Sequence, residues 1–190
     1  MKLAKLFSFL AALALSCAAN AAIITGTTGS NTVTDYSSAG VVSFDLDLHN
    51  FSSTTLNFVL EADDLAGPLS FNALVRNLAG ADLSRFTFSL QGIRFAAAGT
   101  VTPAFGTLGS VSNTATLATI DFASPEWAEF QFGDVFGSAG QVDWLLATSG
   151  LQAGDSFTIT ATVPEPSSIA LMLPMLGMAS LMAARRRNKR

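Results

Sequence analysis

Cysteine, histidine and tyrosine each occur once in the 190 residues, as Cys17, His49 and Tyr36, and no lysine lies between Lys5 and Lys189. A single cysteine excludes an intramolecular disulfide, and one histidine beside it excludes an ordinary zinc site. Charge is scarce at 13%, and in the long interior only Arg76, Arg85 and Arg94 are basic. Thirteen acids oppose these three arginines between Ala22 and Val163, a balance of -10. A domain of that sign repels phosphate backbones, so no nucleic-acid partner is expected. A content of 49% hydrophobic residues excludes a disordered polymer.

The remaining basic residues sit at the two ends. Lys2 and Lys5 precede an uncharged apolar run from Leu6 to Ser16, and Ala19-Asn20-Ala21 places small residues where signal peptidase reads. This is the three-part order of a secretory signal, and the run is too short for a permanent membrane span. The expected division is a signal peptide over 1–21, with cleavage between Ala21 and Ala22 and with Ala19 as the other small recognition residue. The alternative, lipidation at Cys17, fits poorly with Ala14-Leu15-Ser16 before it. Cleavage after Ala21 leaves no cysteine in the exported chain, so stability must come from burial.

The other end reads Val163-Pro164-Glu165-Pro166, then an uncharged apolar stretch, then Arg185, Arg186, Arg187, Lys189 and Arg190. A helix over 168–184 comes slightly short of a hydrocarbon core of roughly 30 Å, so it spans only marginally. The basic tail 185–190 stays in the cytoplasm by the positive-inside rule, which puts the acidic segment outside the inner membrane. The signal peptide gives the same orientation from unrelated residues. Pro164 and Pro166 hold the chain extended and available to an enzyme at the membrane surface.

These three parts in this order resemble the PEP-CTERM sorting signal of diderm bacteria that make extracellular polysaccharide. The resemblance covers residues 163–190 and implies handling by an exosortase, a membrane-embedded cysteine transpeptidase that cuts near the Pro-Glu-Pro. It also implies that the inner membrane holds the chain only transiently, before the ectodomain passes to the envelope or exopolysaccharide matrix. Pro174 within the apolar stretch departs mildly from the pattern.

The segment 22–162 alternates apolar and polar residues. Val42, Phe44, Leu46 and Leu48 share one face; Leu56, Phe58 and Leu60 repeat the pattern, as do Phe86, Phe88 and Leu90. Phe130 with Phe132, then Val142, Trp144 and Leu146, then Phe157, Ile159 and Ala161 continue it. Period-two patterning interrupted by Gly, Ser and Asn turns predicts an all-β ectodomain, an antiparallel β-sandwich or jelly roll of about eight to ten strands with phenylalanine as the main filler. With no interior lysine, Asp and Asn are expected to guard the edge strands.

Catalytic patterns are sparse. His49 has Asp47 on the same strand face, but i,i+2 neighbours project in parallel, and no G-x-S-x-G elbow is present. Glu126 and Glu129 flank Trp127, a combination that a glycosidase cleft uses and that solvated edge charges also produce. Asp63-Asp64, and Asp45 with Asp47, offer hard oxygen ligands for calcium, without a D-x-D-x-D-G loop; apart from calcium no cofactor is expected. Three readings stay open: a non-catalytic surface or matrix protein associated with exopolysaccharide, a carbohydrate-binding module using an exposed Trp127 or Trp144 with nearby Asp and Asn, and a matrix polysaccharide hydrolase. The first is preferred.

Overall fold

A computed structural model describes residues 22–164. The expected signal peptide over 1–21, the helix over 168–184 and the basic tail lie outside the described residues. Among the described residues no helix is long and apolar enough to cross a membrane.

Among the described residues thirteen strands follow one another: β1 Ile23–Thr28, β2 Thr32–Asp35, β3 Val41–Leu48, β4 Thr54–Val59, β5 Leu69–Asn77, β6 Leu83–Gln91 and β7 Arg94–Ala97. Then come β8 Val101–Pro103, β9 Thr107–Asn113, β10 Leu117–Glu126, β11 Glu129–Phe132, β12 Trp144–Ala147 and β13 Ser156–Thr162. Several are short, which is why thirteen appear where the turn spacing predicts fewer. One 3-10 turn, Ala62–Ala66, is the sole helical element among the described residues.

The strands form two sheets. The first has the order β1-β4-β13-β6-β10-β9, all antiparallel. The second has the order β2-β3-β5-β11-β8, with β12 pairing β5 and β7. It departs from the antiparallel expectation, because β3 and β5 run parallel from Val41↔Ser70 to Leu48↔Asn77. Parallel neighbours need a crossover, and the chain makes it through β4 in the opposite sheet. On its other edge β5 pairs β11 over Ala73–Arg76 and β12 over Leu69–Phe71, so these two short strands share one strand position.

Inward residues of both sheets meet in a core of aromatic rings. Phe88 of the first sheet lies 4.7 Å from Phe132 and 5.3 Å from Phe71 of the second, and Phe86 lies 5.2 Å from Phe130, all edge-on. Trp144 stacks on Phe132 at 4.4 Å and is completely buried. Among the described phenylalanines only Phe51, Phe105 and Phe136 are not buried. Each buried ring contributes about 1.5–3 kcal/mol, which is how a fold without disulfides holds together.

The alternation in β3, β4, β6, β11 and β13 reads directly into this core. Val142 does not: it is 58% exposed, because β12 begins only at Trp144. The separator Gly109-Ser110 is also no turn. It lies within β9, where the register against β10 slips, and a side chain at Gly109 would press on the backbone of Ala123. Edge strands β1, β2 and β9 are lined mainly by Thr, Ser and Gly, with the expected Asp and Asn only at Asp35 and Asn113, and the ladders of β1 and β9 are bulged.

Candidate functional site

The C-terminal junction is carried by β13, an interior strand of the first sheet. β4 pairs it up to Ala161↔Thr54 and β6 up to Thr162↔Thr87. The Thr87 hydroxyl donates to the Thr162 carbonyl at 3.3 Å, and the Ser53 and Thr162 hydroxyls lie 3.2 Å apart. Val163 keeps its side chain in the core at 7% exposure. Pro164 then has no N–H with which to continue the ladder, so pairing stops there. Of the sorting residues read from sequence, Val163 and Pro164 thus bound the sandwich; Glu165, Pro166, Arg185, Arg186 and Arg187 lie outside the described residues. At the other terminus Ala22 is buried beside the start of β1, while Ala19 and Ala21 are outside the described residues.

Strand registers decide which loops share an end with this exit. Thr162 pairs with Thr87 at the middle of β6, whose first half runs on past the end of β13, and the adjacent β10 finishes at Glu126↔Leu83. The exit end therefore gathers the connections 29–31, 49–53, 78–82, 104–106 and 127–128. Glu126 organises two of them. Its carboxylate is fully buried; Oε2 accepts the Phe105 and Gly106 N–H groups at 3.0 and 2.8 Å, and Oε1 accepts those of Ala128 and Glu129 at 2.9 and 3.3 Å. Desolvation pushes its pKa up, but the four N–H donors outweigh this and hold it below the ordinary carboxylate value. Asn77 adds amide bonds to the carbonyls of Ala81 and Glu126 at 2.7 and 3.1 Å.

Sequence reasoning missed this role. The Ser-Pro-Glu-Trp-Ala-Glu turn was the available signal, but the donors at 105 and 106 come from a distant connection. Neither a solvated charge nor an open catalytic acid describes Glu126, since backbone donors occupy both its oxygens. Glu129 points instead toward Arg76, 3.8 Å from Nε.

With these loops pinned from below, their apolar side chains stand in solvent. Phe105 is 79% exposed, Trp127 58% and Leu78 53%. Trp144, the other expected sugar platform, is buried against Phe132 and Phe95 and is unavailable to any ligand.

The remaining candidates already have partners. On the outer face of the second sheet Arg76 binds Asp45 at 2.5 Å and Asp47 at 2.9 Å. Hydrogen bonding to Asp47, opposed by desolvation and aided by Asp45, raises the Arg76 pKa, so it stays charged. Asp64 is buried and accepts the backbone N–H groups of Gly40 and Glu61 at 3.0 and 2.8 Å. His49 Nε2 lies 3.1 Å from the Thr32 hydroxyl. Among the described residues no group of three His, Cys, Asp or Glu is arranged to hold a metal ion.

No curated protein and no solved structure matches this chain. A family model does match its end, beginning on the last residue of β13. Over residues 162–187, the chain carries a PEP-CTERM protein-sorting motif, the mark of an exosortase-sorted secreted protein.

Proposed function

We propose that this is an exported, non-catalytic surface or matrix protein. Signal peptidase removes residues 1–21, the apolar stretch over 168–184 anchors the chain in the inner membrane, and an exosortase-type transpeptidase cuts beyond Pro164 to release the sandwich toward the envelope or exopolysaccharide. The carrying observation is the junction itself. Residues up to Ala161 are paired on both sides within a sheet and Thr162 on one, and Pro164, without an N–H, ends that pairing, so a cut beyond Pro164 leaves the sheet whole. Opening the paired residues would remove a central strand.

The non-catalytic reading draws support from side chains whose reactive atoms are already engaged: Glu126 by four backbone donors, Asp64 by two, Asp45 and Asp47 by Arg76. A carbohydrate-binding role is the second reading. It rests on Trp127, the exposed tryptophan of the described residues, since Trp144 is lost to the core.

Mass spectrometry of the protein from cells with and without the exosortase tests the main reading. The expected mature chain begins at Ala22, ends after Pro164, and is replaced by a tail-bearing form when the exosortase is missing. A new C-terminus within β13, or an identical C-terminus in both strains, overturns it. Loss of binding to a glycan array on Trp127→Ala would favour the second reading.

A further inference from the structure

We propose that the exit end of the sandwich is a membrane-docking face: while the tail still anchors the chain, Trp127, Phe105 and Leu78 sit in the headgroup layer of the bilayer. This rests on the reading of 168–184 as an anchor, and it follows from chain length and register. In the first sheet β10 lies two strand positions from β13, about 10 Å at 4.7–4.9 Å per strand. Continuing the pairing Thr162↔Thr87 along β6, Pro164 is level with Arg85, and Leu83, opposite Glu126, lies two residues further out. A fully extended chain from Pro164 uses about two residues, or 7 Å, to draw level with the end of β10. Only about 7 Å more is available before Ser168, the start of the apolar stretch. The headgroup layer is itself about 5–7 Å deep, so the loop tips cannot stand clear of it.

The composition of this end suits that position. Its connections carry one acid, Asp82; of the carboxylates beside them, Glu126 is buried under its N–H donors and Glu129 turns toward Arg76, 3.8 Å from Nε. Connections at the opposite end, 36–40, 60–68, 92–93, 114–116 and 148–155, carry Glu61, Asp63 and Asp155 outside the core, with Asp64 buried on its own N–H donors. Anionic lipid headgroups repel the second set and tolerate the first. Tryptophan and phenylalanine at loop tips provide the amphipathic or apolar surface that the interface favours. Exposed Phe136 and Val142 belong to the connection 133–143, which leaves the second sheet between β11 and β12 rather than at the exit end, and they serve as an internal control.

The two tryptophans make the test direct. The full chain is reconstituted through its tail into vesicles of phosphatidylethanolamine and phosphatidylglycerol, with acyl chains brominated near the headgroup or left plain. Bromolipid should quench the emission component that Trp127→Phe removes and leave the component from buried Trp144 intact. Phe105→Ser should weaken the quenching and Phe136→Ser should not. Retention through a carbonate wash reports tail insertion separately. Retained protein whose Trp127 is unquenched, or whose quenching falls equally with Phe105→Ser and Phe136→Ser, overturns docking and leaves the anchor standing. Trp127 emission shifted to the blue without quenching means that a second copy of this chain, the other protein surface in the vesicle, covers the face, and also overturns it. Protein released by carbonate overturns anchor and docking together.

Discussion

The two ends of the sandwich use the same device for different outcomes. At the exit end Glu126 turns both carboxylate oxygens inward onto four backbone N–H groups, and the loops it ties together present Phe105 and Trp127 to solvent. At the opposite end Asp64 accepts Gly40 and Glu61, and Asp155 accepts the Gln152 N–H at 2.8 Å, while Glu61 and Asp63 keep that surface acidic. A carboxylate is therefore a poor guide to surface charge in this protein. Its meaning depends on whether backbone donors converge on it.

The largest effect expected from breaking this contrast concerns the exit end's tryptophan and its buried counterpart. Trp144→Ala should cost about 3–5 kcal/mol, by emptying the space between Phe132 and Phe95. Trp127→Ala should stay within about 0.5 kcal/mol. Urea unfolding of the full chain in mild detergent measures both, and similar losses would mean that Trp127 is part of the core.

Next in size, Glu126→Ala should cost about 3 kcal/mol or more, through four orphaned N–H donors. Asp64→Ala, which orphans two, should cost about 1–3 kcal/mol. A reversed order under the same unfolding assay would show that the exit loops are held by something other than Glu126.

A smaller effect is the pH dependence of Glu126. Its folded pKa is depressed, so its contribution is fully present above the unfolded value of about 4.3 and is lost as pH falls through the lower folded value. Stability measured from about pH 5 downward should therefore decline less steeply in Glu126→Gln than in the parent chain. Parallel curves would assign the acid sensitivity to other carboxylates.

Arg76→Ala should be smaller again, about 1 kcal/mol, since the guanidinium is about one-third exposed and solvent screens its pairs with Asp45 and Asp47. The same urea assay checks it. A loss near that of Glu126→Ala would make the outer face of the second sheet as important to stability as the exit-end cradle.

The alternating strands were legible because a half-buried strand must repeat every second residue, and β3 with Val42, Phe44, Leu46 and Leu48 inward does so without interruption. The parallel placement of β3 beside β5 was not legible. Either direction satisfies the same alternation, and only the path through β4 decides it. The candidate site divides likewise. Val163 and Pro164 stood out as the edge of a basic-tailed apolar segment and Trp144 lay in an alternating run, whereas the four backbone donors on Glu126, which hold the turn that exposes Trp127, come in part from residues 105 and 106, some twenty positions away.

Sequence alone determined the two cation-flanked apolar ends, the lysine-free acidic middle and the strand character of that middle, because charge, apolar run length and period-two patterning are properties of neighbouring residues. Tertiary structure decided that the tail leaves from an interior strand, that Glu126 is a buried cradle rather than an exposed acid, and that Phe105 and Trp127 stand together at the exit. Those facts depend on residues far apart in the chain, joined by strand register and by backbone donors that only the folded sheets bring within hydrogen-bonding distance.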